Sequence, residues 1–309
     1  MILQKENEFI RSVKAAKEVF THAGKFHADD VFSFALLRMI NEELLVRRGN
    51  KVPEDFCGIV FDIGEGAYDH HQKDSKVREN GVPYAAFGLI WQEVGDCIFG
   101  DEKQAEKFDY RFIQPLDLND NTGEPNDIAR LVADFNPVWD RDEDLEEAFL
   151  AAADFAAAVL NRKFAYIRGN MRADATMKTY LEKAEDGILV MDSYVPWKKA
   201  VENTDISFVI FPSNRGGYCA MGVKDDIAKE TKCEFPKEWY GKRDEELSTL
   251  SGIPTLKFCH KTGFMLTTDT LLDARDACLV SRQKQSLVSR MRLNVKRMFK
   301  KKKQDRRSL

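Results

Sequence analysis

The sequence has few cysteines, and none are paired at the spacing of a metal-binding or redox motif. Its six cysteines are spread from residue 57 to residue 278, and no Cys-x-x-Cys pair occurs. This spacing disfavours both a disulfide framework and a structural zinc finger. The first residues also lack the basic and apolar regions of a signal peptide. We therefore expect a reduced, cytoplasmic-type compartment.

Long apolar runs are also missing. The longest, residues 148–160, is rich in alanine, contains Asp154 and is too short to span a bilayer, so we expect no transmembrane segment. An apolar content of 43% is nevertheless enough for a buried core. A chain of 309 residues predicts about two domains.

A large net charge is absent from the chain as a whole but not from its parts. The formal net charge is −4, from 47 Lys and Arg residues and 51 Asp and Glu residues. Residues 282–309 hold 12 of the basic residues and one of the acidic residues, which leaves residues 1–281 at −15. We predict that this basic tail binds polyanions such as RNA, with a solubilising extension as the alternative.

The first part of the chain predicts alternating strands and helices. Residues 19–21 and 59–61 are short apolar runs typical of buried strands. Between them, a helical pattern begins at Asp29 or Asp30 and continues to about Arg48. Apolar strands separated by helices predict an α/β fold whose parallel sheet is covered by helices on both faces.

The pattern changes near residue 187. A mostly helical pattern over 83–181 gives way to short apolar runs that predict strands. These runs are residues 188–191, 206–211, 218–223 and 256–259. We therefore predict three parts, which are a larger domain over 1–185, a smaller C-terminal α/β domain over 186–281 and the basic tail over 282–309.

Histidine is scarce, and its distribution is uneven. Four of the five histidines lie between residues 22 and 71, in two segments that follow the predicted strands. The first segment is T-H-A-G-K-F-H-A-D-D (21–30), and the second is F-D-I-G-E-G-A-Y-D-H-H-Q (61–72). Because ligands bind at the carboxyl ends of parallel strands, these side chains converge if the two strands are neighbours. The converging residues would be His22, His27, Asp29, Asp62 and His70.

The two segments supply imidazoles and carboxylates without cysteine, a donor set that suits Mn²⁺, Zn²⁺ or Mg²⁺. Several such groups can hold two ions about 3.5–4 Å apart, which stabilises both oxygens of an in-line displacement. Asp62, at a strand end, can offer one oxygen to each ion. For either segment alone, a polar turn is an equal alternative, whereas the two segments together favour a metal site.

The same segments resemble the MYG family, a branch of the DHH phosphoesterase superfamily. Residues 21–29 match the family pattern T-H-x-G-x-F-H-x-D, Asp62 matches its strand-end aspartate, and residues 69–72 match its D-H-H-Q motif. Residues 117–121 (D-L-N-D-N) are similar to the family's D-x-x-D-N-G motif, in which Thr122 replaces the glycine. Further similar segments extend the resemblance over roughly residues 17–275.

The resemblance implies a DHH-type catalytic domain and a metal-dependent phosphodiesterase, with family members described as 3′–5′ exonucleases acting on RNA. It implies two divalent ions, for which Mn²⁺ is the first choice and Mg²⁺ or Zn²⁺ are alternatives. It gives His71 a part in phosphate contact or proton transfer, and Asp62 a place at the reaction centre. The metal ligands that it implies are His22, His27, Asp29, Asp62, His70 and Asp117 or Asp120.

Three further residues are candidates for substrate binding. Lys25 and Lys73 each lie beside a metal motif, where a cation would contact phosphate. His260 follows an apolar strand and is either a structural residue or, by the resemblance, a residue that grips the substrate.

Two other functions stay open on the sequence alone. One keeps the metals and hydrolyses a small phosphoester such as pyrophosphate or a cyclic dinucleotide. The other is a nucleic-acid-binding protein that uses the basic tail and has no turnover. The sequence does not determine the oligomeric state.

Overall fold

The computed structural model describes residues 3–225, 228 and 230–285. The chain divides into two compact units, Met1–Arg168 and Gly169–Leu309. Most of the predicted basic tail, residues 286–309, lies outside the described residues. All six cysteines are free. Among the described residues, no helix combines the length and apolar character needed to cross a membrane.

A parallel three-stranded sheet lies in the first unit. Strand β1 (Glu18–His22) is central, with β2 (Leu45–Gly49) on one side and β3 (Ile59–Val60) on the other. The expectation that the two apolar runs form neighbouring parallel strands is confirmed, because β3 pairs with Val19 and Phe20. The segments that follow β1 and β3 therefore leave the sheet at the same edge.

The prediction of a helix reaching about Arg48 is wrong. Helix α2 spans Ala28–Ile40 and ends at Asn41, and the chain then enters β2. Leu45, which falls within that predicted helix, is 68% exposed at the start of β2. A short apolar run between two turns fits either a helix or a strand, and here pairing with β1 decides for the strand.

Helices form the rest of the first unit, as predicted for residues 83–181. A π-helical turn at Asp109–Ile113 joins two of them, and the rings of Phe32, Phe87 and Phe112 pack together in the core. The helices are α1 (Glu8–Ala15), α3 (Ala86–Phe99), α4 (Glu102–Phe108), α5 (Gln114–Thr122), α6 (Asp127–Ala133) and α7 (Leu145–Leu181), which continues into the second unit.

A mixed five-stranded sheet forms the second unit. Its strands are β4 (Ile188–Val190), β5 (Phe208–Pro212), β6 (Tyr218–Gly222), β7 (Leu256–Cys259) and β8 (Met265–Thr268). The strand order is β4-β5-β6-β8-β7, in which only β4 and β5 pair in parallel. The predicted strands are confirmed with small shifts at their ends, whereas β8 was not predicted. Both units together make the chain a mixed α/β protein.

Side chains of β5 alternate between two apolar cores in this unit. Phe208 and Ile210 pack into one core, which includes residues of α9 (Leu271–Lys284). Val209 and Phe211 pack into the other, beside Trp197. The two-residue period is that of a sheet buried on both faces. Helix α8 (Asp244–Ser251) precedes β7 and contributes Leu247 to the first of these cores.

Candidate metal centre

The segments after β1 and β3 meet in a cleft of about 780 Å³ in the first unit. Helices α5 and α6 complete its walls, with α6 contributing the small side chains of Ala129 and Ala133. The titratable side chains that line the cleft are His22, Lys25, His27, Asp62, Asp69, His70, His71 and Asp120.

His22, the last residue of β1, lies between two carboxylates. Its Nε2 is 3.1 Å from Asp30 Oδ2 and 3.2 Å from Asp62 Oδ2. Its Nδ1 donates to the carbonyl oxygen of Ala23 at 3.0 Å, so Nε2 is the ring atom directed into the cluster. The adjacent carboxylates of Asp30 and Asp62 raise the pKa of His22 to about 10.

Helix α2 places two adjacent carboxylates at the same point. His27 is the N-cap residue, and its backbone N–H donates to Asp30 Oδ1 at 3.0 Å. We expected the helix to begin at Asp29 or Asp30, but both lie in its first turn and are fully buried. Burial, together with the nearby charge of Asp62, raises the pKa of Asp29. Burial also raises the pKa of Asp30, although the neighbouring His22 opposes the shift.

Asp62, directly after β3, stands between the two histidine-containing segments. Its φ is 57°, in the left-handed region that residues other than glycine rarely adopt. Oδ2 faces His22 Nε2, and Oδ1 lies 3.1 Å from His70 Nε2. Burial acts to raise the pKa of Asp62, but the two histidines outweigh it and lower the pKa below its usual value. Each carboxylate oxygen therefore faces a different histidine.

His70 is buried among three carboxylates. Its Nε2 lies 3.1 Å from Asp62 Oδ1, 3.2 Å from Asp120 Oδ2 and 3.7 Å from Asp29 Oδ2. Burial acts to lower the pKa of His70, but the adjacent carboxylates of Asp120 and Asp62 raise it to about 10. Asp120 comes from α5, so this helix joins the two loops at the edge of the sheet.

His71 differs from His70 in being open to solvent, with a side chain that is 63% exposed. Its Nδ1 lies 2.8 Å from Asp69 Oδ1, which also accepts the backbone N–H of His71 at 3.1 Å. Asp69 Oδ2 accepts the backbone N–H of Glu65 at 2.7 Å. Burial opposes these bonds, but the hydrogen bonds from His71 and Glu65 lower the pKa of Asp69. An ionised Asp69 therefore holds the His71 ring in one orientation.

The ligand atoms form three groups, two of which overlap, and the atoms of each group lie within 4.8 Å of one another. The groups are His22, Asp30 and Asp62; Asp62, His70 and His71; and His27, Asp29 and Asp120. Asp62 belongs to two of them, so these two groups are continuous.

Several buried atoms of these groups lack hydrogen-bond partners within the described part of the chain. They are Asp29 Oδ1, Asp30 Oδ2, Asp62 Oδ1 and His70 Nε2. A buried polar atom without a partner costs about 1–3 kcal/mol, so a cluster of four in one place needs a cause. Carboxylate oxygens and imidazole nitrogens that point to one place without forming hydrogen bonds are suited to binding a cation. The residues present therefore fit a divalent ion held by imidazole and carboxylate groups.

Asp117 lies apart from this cluster. Its Oδ2 accepts a hydrogen bond from Arg78 Nη2 at 2.7 Å, and its Oδ1 accepts the backbone N–H of Gly88 at 3.2 Å. Burial raises the pKa of Asp117 to about 7, although Arg78 acts to lower it. Of the two aspartates that the sequence left open, Asp120 is the one that faces the cleft.

The structure also adds one residue to the candidate ligands. Asp30 was absent from the predicted set because an aspartate at a helix start is commonly a cap. Its position beside Asp29 in the H-A-D-D segment was the available signal, since adjacent acids at a buried helix start are not explained by capping alone.

The three candidate substrate contacts lie in different places. Lys25 lines the cleft. Lys73 is exposed and is not one of the cleft-lining residues. His260 is in the second unit, where its Nδ1 accepts the backbone N–H of Thr262 at 3.2 Å.

Comparison with known proteins identifies the family. The family model MYG1_exonuc, described as Uncharacterised protein family (UPF0160), matches residues 18–278. This chain belongs to the MYG1 family. The predicted membership of this family is confirmed.

Relatives in distant eukaryotes match most of the chain. The MYG1 protein YER156C of Saccharomyces cerevisiae is 26% identical to this chain, and the match covers 82% of this chain and 91% of the yeast protein. The MYG1 exonuclease of Homo sapiens is 27% identical to this chain, and the match covers 81% of this chain and 82% of the human protein. No solved structure is significantly similar to the chain.

Proposed function

We propose that the protein is a metal-dependent phosphodiesterase that acts as a 3′–5′ exonuclease on RNA or short oligonucleotides. Mammalian relatives carry the name exonuclease, which supports a nuclease of this family. The observation that carries the proposal is the position of Asp62, whose two carboxylate oxygens face His22 and His70 in a cluster of unpartnered buried atoms.

The candidate ligands are assigned to two divalent ions, with Mn²⁺ as the first choice and Mg²⁺ or Zn²⁺ as alternatives. Asp62 is the residue shared between the sites, and His70 lies between the two sets of carboxylates. The proposed ligands are His22, His27, Asp29, Asp30, Asp62, His70 and Asp120. Ions in these positions supply positive charge that stabilises the negative charge developing on the phosphate oxygens.

Other side chains of the cleft serve the substrate directly. Lys25 contacts a phosphate of the bound strand. In the hydrolysis, a water oxygen bonds to phosphorus as the phosphorus–oxygen bond to the 3′ oxygen of the preceding nucleoside breaks. The 3′ oxygen takes a proton held by His71, and the proton released by the water replaces it. Asp69 orients the His71 ring through the 2.8 Å hydrogen bond between their side chains. Since His71 is exposed, it reaches a phosphate bound above the buried cluster.

The test compares Asp62→Ala and His70→Ala with the wild type on RNA labelled at its 5′ end. Loss of either side chain is expected to slow Mn²⁺-dependent shortening by about 100-fold or more. Asp74→Ala is the matched control, because Asp74 is an exposed aspartate four residues after His70. Undiminished cleavage by a folded Asp62→Ala variant, or internal cuts in place of stepwise shortening, would contradict the proposal.

A small phosphoester is the second candidate substrate. The cleft volume of about 780 Å³ is within the range of roughly 300–1,000 Å³ that is usual for small-molecule sites. Specificity constants for pyrophosphate, a cyclic dinucleotide, a linear dinucleotide and a longer RNA separate the two. A clear preference for pyrophosphate or the cyclic dinucleotide would favour this second candidate.

A further inference from the structure

Asn121, on α5, contacts three other groups of the first unit through one amide. Its Nδ2 donates to the carbonyl oxygen of Tyr84 at 3.1 Å and to that of Asp117 at 2.9 Å. Its Oδ1 lies 3.3 Å from Nδ1 of the buried His70. The amide thus joins α5 to the His70 loop and to the segment that precedes α3.

These contacts determine the orientation of the amide. Carbonyl oxygens can only accept hydrogen bonds, so the nitrogen of Asn121 must face Tyr84 and Asp117. The oxygen of Asn121 must then face His70. Because an amide oxygen can only accept, His70 Nδ1 must carry a hydrogen, and His70 Nε2 is the ring atom presented to Asp62 and Asp120.

The helix that carries Asn121 is itself held in place. Asp117, one turn earlier on α5, is bonded to Arg78, and Arg78 also donates to both oxygens of Asp109 in the π-helical turn. Arg78 is only 8% exposed, so these charge-assisted bonds lie away from solvent. A fixed helix and a fixed amide leave His70 with one favoured ring orientation.

We propose that Asn121 is a positioning residue that sets His70 Nδ1 as the hydrogen donor and His70 Nε2 as the metal ligand. This inference rests on the proposed function, because it takes His70 as a ligand. A metal-bound histidine is usually oriented in this way by a partner on its other nitrogen, and loss of the partner costs about 10- to 100-fold in metal affinity or activity. The role is specific to the acceptor oxygen of Asn121.

Two substitutions separate this role from a merely structural one. Asn121→Ala removes both the acceptor and the donors. Asn121→Asp keeps an acceptor for His70 Nδ1 but loses the donors to Tyr84 and Asp117. Asn80→Ala is the matched control, because Asn80 Nδ2 donates to Gln114 Oε1 at 2.8 Å, at the start of α5 and outside the cluster. The measurement is Mn²⁺ affinity by titration of the full chain.

Asn121→Ala is expected to bind Mn²⁺ about 10- to 100-fold more weakly than the wild type. Asn121→Asp and Asn80→Ala are expected to bind at least about as tightly as the wild type, since both keep an acceptor for His70. The inference is overturned if Asn121→Ala binds normally, or if Asn121→Asp is as weak as Asn121→Ala. If the wild type binds no divalent ion, the proposed function fails together with the inference.

Nitrogen NMR of the Zn²⁺-loaded wild type gives a readout that is independent of activity and of variant folding. The His70 ring is expected to show a hydrogen on Nδ1 and coordination through Nε2. Coordination through His70 Nδ1 would overturn the inference even if every variant failed to fold.

Discussion

The same substitution, aspartate to asparagine, is expected to have different effects at Asp117 and at Asp120. Both residues lie on α5, and the family motif leaves open which of them is a ligand. Asp117→Asn is expected to destabilise the protein and leave its metal affinity nearly unchanged. Asp120→Asn is expected to weaken metal binding with little change in stability.

The expected loss of stability in Asp117→Asn follows from the two buried N–H groups that donate to Asp117. The carboxylate of Asp117 accepts from Arg78 Nη2 and from the Gly88 backbone N–H, one bond on each oxygen. An amide has a single acceptor oxygen, so its NH₂ group would oppose the other donor. One unsatisfied buried donor lowers the free energy of unfolding by about 1–3 kcal/mol.

Asp120 has no comparable structural bond among the contacts described above. It faces His70 Nε2 at 3.2 Å and His27 Nδ1 at 3.9 Å, and its side chain is 11% exposed. Asp120→Asn removes one negative charge from the cluster. Removal of a residue that only orients a metal ligand costs about 10- to 100-fold in metal affinity. We expect Asp120→Asn to weaken Mn²⁺ binding by at least that much.

The assay pairs urea unfolding with Mn²⁺ titration for both variants and the wild type. Opposite effects on the two measurements support the assignment of Asp120 to the metal and Asp117 to the scaffold. Loss of metal binding in a stable Asp117→Asn variant, or normal metal binding by Asp120→Asn, would refute the reasoning.

Three further predictions concern packing, pH and the basic tail. Gly88→Ala would place a methyl group against Asp117 Oδ2 and 2.6 Å from Arg78 Nη2, and should lower the free energy of unfolding by about 1–3 kcal/mol in urea titrations. Burial raises the pKa of Asp117 to about 7 from an ordinary value of 3.8, so the folded protein binds this proton more tightly than the unfolded chain does. The resulting contribution to folding stability is present at low pH and is lost as pH rises through about 7. The stability advantage of the wild type over Asp117→Asn should therefore be smaller at about pH 8 than at about pH 5, and an increase would contradict this sign. Deleting residues 286–309 should weaken RNA binding and flatten its salt dependence, which fluorescence anisotropy at several salt concentrations can check. The rate of dinucleotide turnover should stay unchanged.

The sequence predicts the meeting of the two histidine segments because the evidence for it is local. Short apolar runs at 19–21 and 59–61 indicate strands, and parallel neighbours bring the residues after them to one edge. The grouping of His22, Asp62 and His70 follows from this rule alone. The hairpin between β5 and β6 is also local, since a glycine-rich turn joins two apolar runs.

Other features depend on contacts that no local pattern encodes. The run that forms β2 is ambiguous until β1 lies beside it. The pairing of Arg78 with Asp117 links residues 39 positions apart, so the sequence could not remove Asp117 from the ligand candidates. Asp29 and Asp30 are adjacent on a helix, so their side chains point in different directions. That both reach the cluster is known only once the structure places the start of α2 at Ala28.

The central claim is that Asp62 joins the two parts of a two-ion centre. It is tested most directly by counting the Mn²⁺ ions bound per chain in the wild type and in Asp62→Asn. Asp62 is proposed to join the two parts of the centre, so the wild type should bind two ions and Asp62→Asn should lose at least one of them. The absence of bound Mn²⁺ in the wild type, or an unchanged number in a folded Asp62→Asn variant, would contradict the account.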